Sequence, residues 1–442
     1  MQVTDAMAYM SDMAKKEGAE AFDILAGVSA SDGINLFQKK VQSVELSSSQ
    51  GIGIRLFHNN CPGYAYTERF TKEAILQSVK DALSHTHLTG ELDVDLSQPL
   101  AKEDKLSLYN PEIESITTDQ MTEWSIELED AVLSSSSEIV NIPYLGFSRS
   151  SGETHFLNSL GQSFLSKGNS YYFGAGAVAQ RGEANKLGVY TRGGRDLAEI
   201  NIANMAQKVG ERSTELLGAS AIASGEYTIL FSNRISAQLL SMFSSPFFAE
   251  NIHKGQSSLE GKLGQSIACK DFSLINDPTL VNFSGSTIFD GEGVVAQKTN
   301  IVVDGVLDHY LYNLEAAKKD KVASNGSASR GYSGKVGTGF SNLIVPLGSV
   351  DATALKSSGK VLEIIKLEGG SGCSAVSGEI SIGAQGFLLN NGIVEQVVDG
   401  ITVSGNFYDL LQNIQGISNE WSDTFSPVKV PDLLVSGFKV SG

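Results

Sequence analysis

The amino-acid sequence predicts an α+β protein in two parts: an N-terminal antiparallel sheet with covering helices over residues 1–221, and a mostly antiparallel β domain over residues 222–442. Three observations carry this. In the first half the apolar period switches repeatedly between two residues and about 3.6. In the second half, three Asp-Gly or Asn-Gly pairs stand between β-rich runs, as hairpin turns require. The 46 Gly against 9 Pro in 442 residues call for many tight turns rather than extended linkers. A chain of this length, at ~100–200 residues per domain, has room for two or three units.

From Asp5, the residues Met7, Tyr9, Met10 and Met13 fall on one helical face, and Gly18 provides a stop. The stretch from Phe22 to Thr67 reads as an antiparallel meander, with Ile52, Ile54 and Leu56 alternating against Gly53, Arg55 and Phe57, and with SDG (31–33) and HNN (58–60) as turns. Ile75, Val79, Ala82 and Leu83 then share a helical face behind a Thr71 cap. Residues 117–134 repeat the device, TTDQ reading as a capping box before the stripe Met121, Trp124, Leu128 and Val132. Strand patterning returns through GAGAVA (174–179). DLAEINIANMAQKVGERSTELLGA reads as one long helix, aligned on Leu197, Ile202, Met205, Val209 and Leu216. Past residue 222, YTILFS is a strand and RISAQLLSMFSS a helix. Hairpin turns are expected at Asp304-Gly305, Asn391-Gly392 and Asp399-Gly400. The Gly/Ser-rich stretch 324–334 reads as a loop long enough to be functional.

The formal charge of −17 argues against a protein that grips nucleic acid itself, because phosphate binding rests on clustered Lys and Arg. Cys61, Cys269 and Cys373 are odd in number and widely spaced, which is neither a disulfide framework nor a zinc ribbon and fits a reducing compartment. No signal-peptide pattern and no run of about 18 apolar residues occurs, so a cytoplasmic protein without a membrane span is expected.

No catalytic constellation is self-evident. The six His, at 58, 85, 87, 155, 253 and 309, form neither HExxH nor HExxxH. His85 and His87 lack a third ligand and read as surface residues. Glu250 and His253 in PFFAENIHK share a helical face at i, i+3, a spacing that a surface pair explains as well as a site does. GAGAVA does not open a helix as a dinucleotide fingerprint must, and GQSSLEGKL has the wrong spacing for a P-loop. Cys373 without a neighbouring His, and the acidic pair Asp290 and Glu292, are the remaining candidates for a stand-alone hydrolase.

The run NLFQKKVQSVELSSSQGIGIRLFHNNCPGYAYTERFTKEAILQSVKDAL resembles the amino-terminal pattern of the TldD/PmbA (TldE) metallopeptidase family. The similarity continues through GQSSLEGKLGQ, FDGEGVVAQKTNIVVDGVLDHYLYN, SGEISIGAQGFLLNNGIVEQVVDGITVSGNFYDLLQNI and PDLLVSGFKVSG, which covers nearly the whole chain. In that family the TldD-type member carries HExxxH, completed by a C-terminal Cys. Counting back from Gly255, the motif falls here on Leu240, Ser241 and Ser245, and SNEWSDTFSPVKVPDLL offers no Cys. The resemblance therefore implies a PmbA/TldE-like subunit without catalytic residues or a metal of its own. It further implies zinc in a TldD-type partner, unfolded peptides as substrates, and an older association with modulation of DNA gyrase. A homodimeric peptide-binding or regulatory protein is the alternative. Glu250, His253 and Lys254 beside the degenerate motif, and Arg330 and Tyr332 in the Gly/Ser-rich loop, are the expected peptide or partner contacts.

Overall fold

The computed structural model describes residues 1–99 and 106–442. The N-terminal half runs α1 (Val3–Lys16), β1 (Ala21–Phe37), β2 (Lys40–His58), β3 (Cys61–Thr67), α2 (Lys72–His85), α3 (Pro111–Ser115), α4 (Thr118–Ser135), β4 (Ile139–Asn158), β5 (Ser163–Arg181), β6 (Ala184–Gly194) and α5 (Ile202–Thr214). The rest runs β7 (Gly225–Phe231), α6 (Asn233–Met242), α7 (Ala249–His253), β8 (Leu274–Asn276), β9 (Thr299–Val303), β10 (Val306–Leu307), α8 (Leu314–Asp320), β11 (Ala328–Ser329), β12 (Gly337–Thr338) and β13 (Leu343–Ile344). It ends with α9 (Ala352–Lys356), β14 (Lys360–Glu368), β15 (Glu379–Asn390), β16 (Ile393–Asn406), α10 (Phe407–Gln412), β17 (Ile414–Ile417), β18 (Val428–Lys429) and β19 (Leu433–Ser441). This is the α+β class the sequence predicts.

The N-terminal sheet has the order β3-β2-β1-β4-β5-β6, antiparallel throughout. α1 and α2 bury Met7, Met10, Ile75 and Val79 against Phe22, Ile24 and Ile54 at one end. α4 and α5 bury Met121, Leu128, Met205 and Val209 against Phe147 and Phe173 at the other. In the C-terminal sheet, β16-β15-β14-β7-β19-β17, an added β16–β19 pairing closes five strands into a ring, and β7 lies parallel to β14.

Most local signals act as expected. Thr71 Oγ1 accepts from the Ala74 amide at 3.3 Å and starts α2. Thr117 caps α4 through the Gln120 amide at 3.2 Å, while the Gln120 side chain turns to Glu123 instead of closing the box. GAGAVA lies within β5. The turns at Asn59–Asn60, Asp304–Gly305 and Asn391–Gly392 have the positive φ that two-residue hairpins need.

Three expectations are corrected. SDG is not a turn: it lies inside β1, where Gly33 is required because a Cβ would stand 2.7 Å from the Phe147 carbonyl of β4. Asp399–Gly400 is not a hairpin but an irregularity within β16, where the register against β15 slips and Gly400 takes φ 69°. The long helix is shorter: Leu197–Glu199 form a separate 3₁₀ turn, Asn201 caps α5 by accepting from the Asn204 amide, and Leu216 packs beyond its end.

Candidate functional site

The β11–β12 hairpin joins the residues that the sequence singles out. Its base is held by Glu250 of α7, whose Oε2 accepts from the Thr338 amide at 3.0 Å and whose Oε1 accepts from Lys254 Nζ at 2.5 Å. His253 turns the other way, with Nε2 2.7 Å from Asp320 Oδ1, and Asp320 Oδ2 accepts from the Tyr312 hydroxyl at 3.1 Å. Glu250 and His253 thus share a helix but not a partner. Arg330 and Tyr332 occupy the hairpin tip, which crosses to the N-terminal sheet.

There Arg330 enters a buried cluster of two cations and two anions. Arg55 donates through Nε and Nη2 to Asp23 Oδ2, and through Nη1 to Glu292 Oε1 at 2.6 Å, while Arg330 Nη1 reaches Asp23 Oδ1. All four side chains are about 1 % exposed or less. The second Glu292 oxygen accepts from the Leu314 amide at 2.8 Å. Burial alone would push the Asp23 carboxyl up, but Arg55 and Arg330 outweigh it and hold it below the ordinary carboxylate value. Burial likewise opposes the charge on Arg55, and Asp23 and Glu292 reverse that and raise it. Formal charges cancel in this cluster, the condition under which buried ions are tolerated.

Tyr332 lies on the bare backbone of β2. A Cβ at Gly53 would stand 1.7 Å from the Tyr332 carbonyl oxygen, and one at Gly51 would stand 2.1 Å from the ring. The Tyr332 hydroxyl donates to Glu68 Oε1 at 3.2 Å, and its ring tilts against Tyr66 with centroids 6.1 Å apart. Beside it opens a cavity of about 540 Å³ lined by Tyr64, Tyr66, Tyr332, Asp81, His85 and Lys335. His85 Nδ1 is 2.7 Å from the Tyr64 carbonyl, which can only accept, so the neutral imidazole carries its proton on Nδ1.

The alternative hydrolase candidates are built into the structure differently. Asp290 accepts from the amides of Glu292, Val294 and Ala328, each at 2.9 Å, and so shapes its own turn and holds the base of the hairpin. Burial, then Glu292, push its carboxyl up to about 7 against those amides. The folded chain therefore holds this proton more tightly than the unfolded chain. Stability through Asp290 is greatest in acid and is lost as pH rises from about 4 to about 7. Denaturation midpoints measured across that window are expected to fall less steeply in Asp290→Asn than in the wild type; equal slopes would remove Asp290 as the cause. Cys373 packs, partly buried, against the C-terminal core.

Three family models match the chain in sequence: PmbA/TldA metallopeptidase domain 1 over residues 22–85, the central domain over 111–217 and the C-terminal domain over 224–442. The chain belongs to the PmbA/TldA metallopeptidase family. Among its PmbA-named relatives, the Metalloprotease PmbA homolog of Haemophilus influenzae is 26% identical, covering 100% of this chain and 96% of that protein. Metalloprotease PmbA of Escherichia coli O157:H7 is 25% identical, covering 97% and 93%. The fold matches a proposed modulator of a DNA gyrase from Thermotoga maritima with TM-score 0.90, 23% identity and all of both chains covered. It also matches TldE from Thermococcus kodakarensis with TM-score 0.86, 20% identity and 99% and 100% covered.

The metal implied by the family name can be tested against the residues present. Leu240 is buried at the end of α6 and lines a void of about 10 Å³ with Phe231, Leu239, Phe272 and Phe407, a space too small and too apolar for a hydrated ion. Ser241 is exposed and uses its carbonyl to accept from Ser244 Oγ, and the Ser245 carbonyl accepts from Asn251 Nδ2. No group of three His, Cys, Asp or Glu that could hold a metal occurs among the described residues. These positions do not fit zinc, whose sites are built from thiolate, imidazole and carboxylate.

Asp23, Arg55 and Tyr64 are absent from the sequence-derived candidates, and Glu292 is among them only as half of an acidic pair with Asp290, not as a partner of Arg55. A signal was available: Asp23 in AFDIL and Arg55 in GIGIRLF are opposite charges inside apolar strand runs, and buried charges demand partners.

Proposed function

We propose that this PmbA/TldA family member is a non-catalytic, PmbA/TldE-like subunit of a metal-dependent peptidase complex acting on unfolded peptides, with the metal chemistry supplied by a TldD-type partner. The observation that carries the reading is the pairing of a full-length family fold with apolar and hydroxyl side chains, Leu240, Ser241 and Ser245, where counting back from Gly255 puts the family's catalytic motif. Leu and Ser neither bind zinc nor activate water. What this chain's own residues supply is architecture: the Asp23–Arg55–Glu292–Arg330 cluster ties the hairpin tip to the N-terminal sheet, and long strands offer backbone for extended peptides. No described helix is long and apolar enough to cross a membrane, and the three cysteines are free, as a cytoplasmic subunit requires.

Cleavage of an unstructured peptide by the purified chain, alone and mixed with an HExxxH-bearing family member, with and without chelator, tests the reading. Turnover is expected only in the mixture, above the level of the partner alone, and is abolished by chelator. Turnover by this chain alone, or no gain over the partner alone, overturns it.

A further inference from the structure

The outer edge of β2 is left uncovered over much of its length by its neighbour β3. β2 pairs with β1 over nearly its whole length, but β3 covers only Ile52–His58. The first eleven residues, Lys40–Gln50, are left with no strand on their other side among the described residues, and all but Ser43 are exposed. That is about 36 Å of edge at 3.3 Å per residue.

Which groups point outward follows from the turns. Asn59 and Asn60 form a two-residue hairpin turn, so His58 and Cys61 exchange hydrogen bonds and His58 faces β3. Phe57 faces β1, its carbonyl accepting from the Glu20 amide at 3.0 Å. The pairing with β1 is unbroken from Ser43 to Phe57. Even-numbered residues therefore face away from β1, and the amides and carbonyls of Val44, Leu46 and Ser48 have no described strand beside them, while at Gln50 the side chain donates to the Glu68 carbonyl at 3.4 Å.

The protein closes the neighbouring edge and leaves this one open. On β3 the outward carbonyls of Pro62 and Tyr64 accept from Thr89 Oγ1 and His85 Nδ1, both at 2.7 Å, and Pro62 has no amide to offer. Pro and side-chain caps are the usual protection for an edge. Lys40–Gln50 of β2 contains no Pro, and among the described residues no side chain caps its outward backbone. Val44 and Leu46, 54% and 80% exposed, stand on one face, and Glu45 with Ser43, Ser47 and Ser49 on the other.

We propose that residues 44–50 of β2 bind an extended polypeptide by strand addition, favouring a chain that alternates apolar and basic side chains. Such a chain would lay its apolar residues along Val44 and Leu46 and its cations along Glu45, continuing the line of β3. A second copy of this protein is the poorer occupant, since two bodies of charge −17 repel. The inference rests on the reading above for the nature of the ligand, and its test uses binding without partner or turnover.

A fluorescein-labelled peptide of about twelve residues, alternating apolar residues and Lys, is titrated with the full-length chain and followed by anisotropy. N-methylation of one alternating set of amides is expected to weaken binding at least about tenfold, and of the other set very little, because only one set faces β2. Ser48→Pro and Leu46→Pro remove outward donors without touching the β1 ladder, and are expected to weaken binding similarly with unchanged circular dichroism. Glu in place of Lys should weaken it too. Equal binding by both N-methylated peptides, or undiminished binding by the folded Pro variants, overturns the proposal. So does a dimer in sedimentation that Ser48→Pro dissociates while peptide fails to bind. Failure here with intact partner-dependent cleavage removes the edge and spares the subunit reading; binding without that cleavage does the reverse.

Discussion

Arg55→Ala is expected to lower the unfolding free energy by about 3–5 kcal/mol, the cost of leaving buried charge uncompensated. Asp23 and Glu292 are both about 1 % exposed or less, and among the described residues Arg55 is the one whose side chain bonds both. Without it, Arg330 alone faces two carboxylates. The ion cluster as a whole need not stabilise the fold relative to apolar residues of the same volume, because desolvation offsets most of the Coulomb gain; the asymmetry lies in breaking it. Arg55→Lys is expected to recover little, since an ammonium cannot reach Asp23 and Glu292 with the spread of a guanidinium. Adding Glu292→Gln to Arg55→Ala restores formal neutrality and should regain part of the loss, a coupling that a double-mutant cycle in denaturant reads directly. A loss below about 1 kcal/mol for Arg55→Ala would show that the cluster does not hold the two halves of the chain together.

Gly53→Ala is expected to undock the hairpin tip. The added methyl would stand 1.7 Å from the Tyr332 carbonyl oxygen and 2.7 Å from its carbon, and backbone cannot rotate away as a side chain can. Overpacking of this kind costs about 1–3 kcal/mol or more, whereas the Gly→Ala gain from a stiffer unfolded chain is only about 0.4–1 kcal/mol, so destabilisation wins. The readout is local. Arg330 is shielded in the wild type, its guanidinium about 1 % exposed, and in the variant trypsin should cut after Arg330 and Lys335 well before the rest of the chain. Cleavage at the wild-type rate would mean that the tip rides over a methyl at Gly53 without loss.

The same glycine shows how far a sequence can be read. Gly51 and Gly53 in GIGIR mark a strand in which something approaches the backbone closely, yet nothing local says that the visitor is Tyr332, some 280 residues away. Asp32-Gly33 and Asp399-Gly400 look like turns for the same reason that Asp304-Gly305 is one. Gly33 instead makes room for the carbonyl of Phe147, and Gly400 sits in a register slip between β15 and β16. A glycine signals special backbone geometry or close approach; which of the two applies depends on strands elsewhere in the chain. The starts of α2 and α4 fared better, because the Thr71 and Thr117 caps act within four residues of themselves, whereas the sequence pattern starts α5 too early.

By itself the sequence determined the α+β class, the capped starts of α2 and α4 and two of the three Gly-containing hairpins. These rest on interactions between residues near in sequence. Only the tertiary structure decided that Arg330 completes a neutral cluster with Asp23, Arg55 and Glu292, that Glu250 and His253 part company, and that β3 stops short of β2's first eleven residues. Those facts depend on which distant segments share a place in space. Burial then turns them into energy, by making an unpaired charge costly and leaving an unpaired strand edge free to bind.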